Sequence, residues 1–284
     1  MLKLPKGSCD SQIHIFADTA KYPVRHAMPL YVPPAGEGTI ERALEMYDEL
    51  GIDRFVIVNA TIYKTDATIL CDTLRALPTG KARGVCIVDD TVTDRQLADM
   101  HDAGVRGARF NFQARFGLVP DFAEFHRQIA RISELGWFAK IFCGMTEMAL
   151  VAEELRKTKI TLVIDHMGQL DFSHGLAQPG MKLILDFLRD ERFWMMLSNG
   201  DRWAKAYPWD EAVPFGDAFY AAAPDRCVWG SDWPNVARWI RRDPPYAPHP
   251  SGEAGKVELA LRYLPDAEAV QNVFVDNPSR LFGF

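Results

Sequence analysis

The sequence predicts a (β/α)8 TIM barrel, formed as a single domain over residues 1–284. Three observations predict it. Eight short, nearly continuous apolar runs recur along the chain, as strands buried on both faces of a parallel sheet do. Amphipathic stretches with readable caps separate them. The length of 284 residues suits such a barrel, for which about 250 residues is usual. An open doubly wound sheet is the alternative, but no G-x-G-x-x-G follows any strand, which weakens its dinucleotide-binding form.

In chain order, QIHIF around His14 is the first strand, followed by a proline-rich loop (residues 17–38). Thr39 caps the helix TIERALEMYDEL and Gly51 stops it. FVIVNA from Phe55 and GVCIVD from Gly84 are the second and third strands. Thr93 with Gln96 forms a capping box before LADMHDA, ended by Gly104. GARFNF from Gly107 precedes the helix DFAEFHRQIARISEL, which ends at Gly136. WFAKIF from Trp137 leads into TEMALVAEELRK, a helix expected to begin at Thr146. TLVIDH from Thr161 precedes MKLILDFLRD, and FWMMLS from Phe193 precedes FGDAFYAAA. CVWGSD from Cys227 is the last strand, before a long loop (residues 233–252) and a helical tail from about Gly255.

Composition bounds the function. With 32 Lys+Arg against 38 Asp+Glu the formal charge is −6, which argues against a nucleic-acid or anionic-membrane partner. At 48% hydrophobic and 25% charged residues, disordered, collagen-like and coiled-coil classes are excluded. Five cysteines without a C-x-x-C pair imply a reducing compartment. No apolar run approaches the roughly 18 residues of a membrane span. The start, MLKLPKGSCDSQIHIF, lacks the pattern of a signal peptide, so a cytoplasmic location is expected. A homo-oligomer is compatible with all of this.

In a barrel, chemistry belongs to polar residues at the C-terminal ends of strands. Here these are Gln12 and His14, Asn59 and Thr61, Asp89, Arg109 and Asn111, Lys140, His166, Ser198, and Asp232. Core packing is a poor explanation for His or Asp on three separate strands, because buried polar groups cost free energy unless paired. Lys140 sits inside the apolar run W-F-A-K-I-F, where it must meet an anion or lose its proton more readily.

Three motifs carry a resemblance: Asp10-Ser-Gln-Ile-His14 on the first strand, Asp165-His-Met-Gly168 on the sixth, and Trp229-Gly-Ser-Asp-Trp-Pro234 on the last. With Gly107-Ala-Arg-Phe-Asn-Phe112, Leu135-Gly-Trp137 and Asp276-Asn-Pro-Ser-Arg-Leu281, the chain resembles the amidohydrolase superfamily along essentially its whole length. The narrower likeness is to the branch of 2-pyrone-4,6-dicarboxylate lactonase and related lactone hydrolases and isomerases. That resemblance implies an amidohydrolase-like barrel in which Asp232 is the general base that activates water. It implies that His14 and His166 line the same centre and polarise a lactone carbonyl. Arg109, Arg115 and Arg202 match arginines that hold substrate carboxylates, and Tyr31 and Thr61 match a Tyr and a Ser that help bind substrate. Gln12, Asn111, Lys140 and Ser198 are further substrate-side candidates. The cationic set fits a small substrate bearing carboxylate or sulfonate, which Arg binds bidentately.

The departures are Gln12 in place of the first His of H-x-H, Phe142 where metal-dependent relatives place another His, and Gln169 where the dicarboxylate lactonase has Arg. A catalytic zinc takes about three protein ligands plus water. No metal or other cofactor is therefore expected, the alternative being one divalent ion such as zinc at His14, His166 and Asp232. The expected activity is that of a lactonase-type ester hydrolase opening an anionic lactone of aromatic or sugar-acid catabolism. A lactone isomerase and a non-catalytic binder of an anionic ligand are the alternatives.

Overall fold

The structure is a computed structural model and describes residues 4–26, 33, 35–114, 117–236 and 251–284. Eight parallel strands pair in chain order: β1 (Cys9–Ile13), β2 (Arg54–Val58), β3 (Ala82–Cys86), β4 (Val105–Asn111), β5 (Phe138–Phe142), β6 (Leu162–Ile164), β7 (Phe193–Leu197) and β8 (Cys227–Trp229). Each falls within or beside an apolar run. The barrel closes through residues just past β8. The Asp232 N–H donates to the Gln12 carbonyl at 2.9 Å, and the His14 N–H to the Trp233 carbonyl at 2.7 Å. Gly230 permits this approach, since a Cβ there would lie 2.9 Å from the Gln12 Cβ and 3.0 Å from its nitrogen.

Alternation along the strands builds two layers. Val56, Val58, Val85, Phe138, Val163, Trp194, Met196 and Val228 pack with one another in the barrel interior. Their neighbours Phe55, Ile57, Ile141 and Ile164 pack outward in the larger core that includes helix residues. Gly107 leaves room for the Phe138 ring, which would lie 2.6 Å from an added Cβ. Lys140, two residues beyond Phe138, therefore belongs to the inner face, near the upper end of the barrel.

The helices are α1 (Ile40–Leu50), α2 (Thr68–Ala76), α3 (Asp94–Ala103), α4 (Phe122–Glu134), α5 (Met145–Lys157), α6 (Pro179–Phe187), α7 (Gly200–Trp203) and α8 (Val213–Ala222). Thr39 caps α1 by accepting from the Arg42 N–H, and Gly51 ends it at φ 70°. The Thr93–Gln96 capping box is present on α3. The fifth helix starts one residue before the expected Thr146: Gly144 holds the cap position in an extended conformation, and Thr146 lies in the first turn.

The tail forms α9 (Gly252–Leu261), α10 (Ala267–Gln271) and α11 (Asn277–Phe282), the last two joined by a π-helical turn. It plugs the N-terminal end of the barrel. Phe282 packs among Cys9, Val56, Val85 and Phe138, while the guanidinium groups of Arg54 and Arg83 lie 4.8 and 5.0 Å from the Phe284 ring centre. All five cysteines are free and buried. Among the described residues no helix is long and apolar enough to cross a membrane.

Candidate active site

The sixth and eighth strands stop earlier than their apolar runs, at Ile164 and Trp229, so Asp165, His166 and Asp232 lie in the turns beyond. His166, Asn199 and Asp232 have φ of 50°, 59° and 58°. Left-handed backbone is unfavourable for most side chains and concentrates at functional sites.

Asp232 is the hub. Its carboxylate accepts from the Gln12 amide (3.0 Å) and the Asn199 amide (2.9 Å), and His14 Nε2 lies 3.3 Å away. Burial alone would raise its pKa. The His166 imidazole, the His14 contact and the Asn199 amide outweigh that and hold it well below the usual carboxylate range. The Nδ1–H of His14 donates to the Val58 carbonyl at 2.8 Å, which turns Nε2 toward Asp232.

Asp165, wholly buried, is the second anion. It lies 3.3 Å from an Arg109 Nη, 3.5 Å from Lys140 Nζ and 3.5 Å from His166 Nε2. Burial pushes its pKa up, but His166, Lys140 and Arg109 bring it below the ordinary value. Lys140 also donates to the Gln12 side-chain oxygen. Burial lowers the Lys140 pKa, and Asp165 works in the opposite direction. Lys140 has thus met the anion its position requires.

Burial lowers the His166 pKa to about 4. Its surroundings support the neutral ring: Gln12 presents its NH2 to Nε2 at 3.2 Å and Asn199 presents its NH2 to Nδ1 at 3.0 Å. An imidazolium, which has a proton on each nitrogen, would face a donor on both sides. Ser198 Oγ lies 2.8 Å from the same Nδ1.

The donor set does not fit a divalent ion. A metal at His14, His166 and Asp232 would face the Gln12 NH2 directed at Asp232 and His166, with the Lys140 ammonium bonded to the same amide. Proton donors thus stand where lone pairs would have to converge. Among the described residues no group of three or more His, Cys, Asp or Glu is arranged to hold an ion.

Beside this cluster a cavity of about 210 Å³ opens at the ends of the second to fourth strands, lined by Thr61, Asp89, Arg109, Asn111 and Glu124 among others. Arg109 lies over the Phe142 ring at 4.1 Å, and its buried Nε has no hydrogen-bond partner among the described residues. The Asn111 Oδ1 accepts from the Gln113 N–H, and its buried Nδ2 likewise has no partner among the described residues. A buried donor without a partner costs about 1–3 kcal/mol.

Six of the residues expected from sequence come together in the cluster: His14, His166, Asp232, Gln12, Lys140 and Ser198. Arg109 joins them through Asp165, while Thr61 and Asn111 line the cavity. Arg202 stands on α7 over the Trp203 ring at 5.9 Å and makes no ion pair among the described residues. Tyr31 and Arg115 lie outside the described residues. Gln169 accepts from the Gln113 amide at 2.9 Å and donates to the Cys143 carbonyl at 3.2 Å, so an amide chain occupies that edge. Asp165 and Asn199 are additions. The Asn199–Gly200 pair after an apolar strand was the signal for Asn199, because Asn tolerates left-handed backbone.

The amidohydrolase family profile matches residues 9–284. The chain is 32% identical to the 4-sulfomuconolactone hydrolase of Hydrogenophaga intermedia, over 99% of this chain and 90% of that protein. It is 30% identical to the 2-pyrone-4,6-dicarboxylate hydrolase of Comamonas testosteroni, over 99% and 91%. A solved Agrobacterium tumefaciens structure superposes with a TM-score of 0.84 at 25% identity, covering 99% of this chain and 97% of that one.

Proposed function

The chain belongs to the amidohydrolase family, and from that premise we propose that it is a lactone hydrolase whose substrate carries a carboxylate or sulfonate. One observation carries the reading: an ionised Asp232, ringed by His14 and His166, is linked through His166, Asp165 and Arg109 to a cavity where, among the described residues, two buried donors, Arg109 Nε and Asn111 Nδ2, have no partner. The donors suit an acid group, and Asp232 suits a water molecule. The relatives named above act on lactones bearing such groups, as their names state.

In this reading the water oxygen attacks the lactone carbonyl carbon while its proton passes to Asp232. The Lys140 ammonium, which has three N–H groups and gives one to the Gln12 side-chain oxygen, is the donor available to the oxyanion that develops. Collapse of that intermediate breaks the ring C–O bond, and the departing oxygen takes up the proton to give a ring-opened acid. A carboxylate with so low a pKa is a weak base that stays ionised, so it orients the water and takes its proton only as the carbonyl is attacked. An enol lactone, with its good leaving group, is the substrate type such a base can serve. The reaction is proposed to need no metal.

A panel of acidic and neutral lactones in a pH-indicator assay tests this. Hydrolysis of acidic lactones releases one proton per turnover and supports the reading. Consumption of a lactone seen by NMR with no acid formed would establish an isomerase in its place. Thermal stabilisation without turnover would make the protein a binder.

A further inference from the structure

The turn that carries Asp232 is held by two buried charged side chains from distant parts of the chain. On one side, Asp10 of β1 accepts from the Ser231 backbone N–H at 2.9 Å, and its other oxygen accepts from the Tyr47 hydroxyl at 3.2 Å. On the other, the Lys256 ammonium on α9 donates to the Ser231 carbonyl at 2.8 Å and to the Asn235 side-chain oxygen. Lys256 is paired with Glu253 at 3.3 Å, and Glu253 in turn accepts from the Asn235 amide at 2.6 Å. Within this frame both Asp232 and Asn235 adopt left-handed backbone, at φ 58° and 60°.

We infer that Lys256 and Asp10 are positioning residues for Asp232. Each fixes one of the two peptide groups of Ser231, and together they hold Asp232 in a backbone conformation that an unrestrained chain would leave. Taking a lysine and an aspartate out of water is costly, and a hydrophobic pair would pack the same space at lower cost. What the charged pair adds is direction: two charge-assisted bonds to opposite ends of one residue, next to the group that must face the lactone. Asp10 has a pKa raised by burial to about 6, and its Oδ1 can accept in either protonation state. The clamp touches neither the cavity at Arg109 nor its donors.

The test removes Lys256 together with its counter-ion Glu253, so that neither is left as an unpaired buried charge, in the double variant Lys256→Met/Glu253→Gln. Hydrogen–deuterium exchange of the peptide spanning residues 228–236, measured on the protein without ligand, should rise about tenfold while β2 to β5 exchange as before. Lys256→Arg should keep most of the protection. The kinetic arm rests on the proposed lactonase activity. With an acidic lactone that the unaltered enzyme opens, kcat should fall on the order of tenfold or more with KM within about twofold. Should the double variant not fold, Asn235→Gly, which suits the same backbone and removes one Lys256 partner, should give the same pattern at smaller size. Unchanged exchange at 228–236, exchange rising equally through the barrel, or a raised KM at constant kcat would each overturn the inference. If the unaltered protein opens no lactone, the functional reading falls while the exchange result still decides the clamp.

Discussion

Among single residues the proposal is tested first at Asp232, which combines a depressed pKa with contacts to His14, Gln12 and Asn199. Asp232→Asn should lower kcat on the order of a hundredfold or more, the usual contribution of a general base; turnover near the unaltered rate in steady-state kinetics would remove Asp232 from that role. The sign of the pH dependence follows from its neighbour. His166 is neutral above a pKa of about 4 and Asp232 is already ionised there, so kcat/KM should lose nothing to these groups between pH 8 and 5. As pH falls through about 4, His166 gains a proton between two amide donors and activity should drop; an acidic limb near pH 6.5, an ordinary histidine value, would show that burial does not hold the ring neutral. Arg109 divides its guanidinium between Asp165 and the cavity. Arg109→Met should cost acidic lactones about 1.5–3 kcal/mol in kcat/KM, the range for a charged hydrogen bond, and neutral lactones much less. Equal losses on both would assign Arg109 to holding Asp165 alone.

The elements that aim these residues were legible to different degrees. The Thr39 cap, the Thr93–Gln96 box and the stops at Gly51 and Gly104 are local devices of a few residues, so reading them needs no tertiary information. The contact of Asp165 with Lys140 and Arg109 is not local. It depends on β4, β5 and β6 lying side by side, with Arg109 opposite Lys140 and Lys140 opposite Val163, and the D-H-M-G motif alone does not specify that register. The same limit applies to the clamp on Ser231, whose members lie on β1 and α9. Gly230 is the element-scale counterpart: its missing side chain lets the segment after β8 reach Gln12. Gly230→Ala would bring a Cβ within 3.1 Å of the Met196 sulfur as well as against Gln12. Overpacking of this kind costs about 1–3 kcal/mol. The expected outcome is a lowered Tm together with a loss of kcat larger than that in β-strand glycine variants of equal stability, since the segment pushed aside carries Gln12 on β1 and His14 just beyond it. A variant with lowered Tm and unaltered kcat would show that the closure does not govern the site.

For the molecule as a whole, the barrel brings polar side chains from six strand ends, those of β1 and β4 to β8, around one centre, and that assembly is what the metal-free proposal rests on. The alternation of apolar runs and capped helices sufficed for the fold, because each βα unit must bury a strand and a helix face against its neighbours. It could not show where the Gln12 amide would turn. In the structure Gln12 accepts from Lys140 and directs its NH2 to Asp232 and His166, so the amide completes a network of charges and hydrogen bonds across the barrel mouth. A divalent ion at the three remaining candidates would have to displace that NH2 and repel the Lys140 ammonium, at a cost that removing a single contact does not capture. The expected outcome is therefore full lactone hydrolysis after prolonged chelator treatment, with elemental analysis showing a negligible metal content in the same sample. The two measurements belong together, because a trace ion held by His14 and Asp232 could copurify without serving the reaction. Activity lost on chelation and restored by zinc or manganese would overturn the proposal and make His14, His166 and Asp232 ligands. Gln12→His then separates the cases further: if Gln12 is the residue that keeps the centre free of metal, the imidazole should introduce zinc binding detectable by calorimetry, whatever it does to turnover.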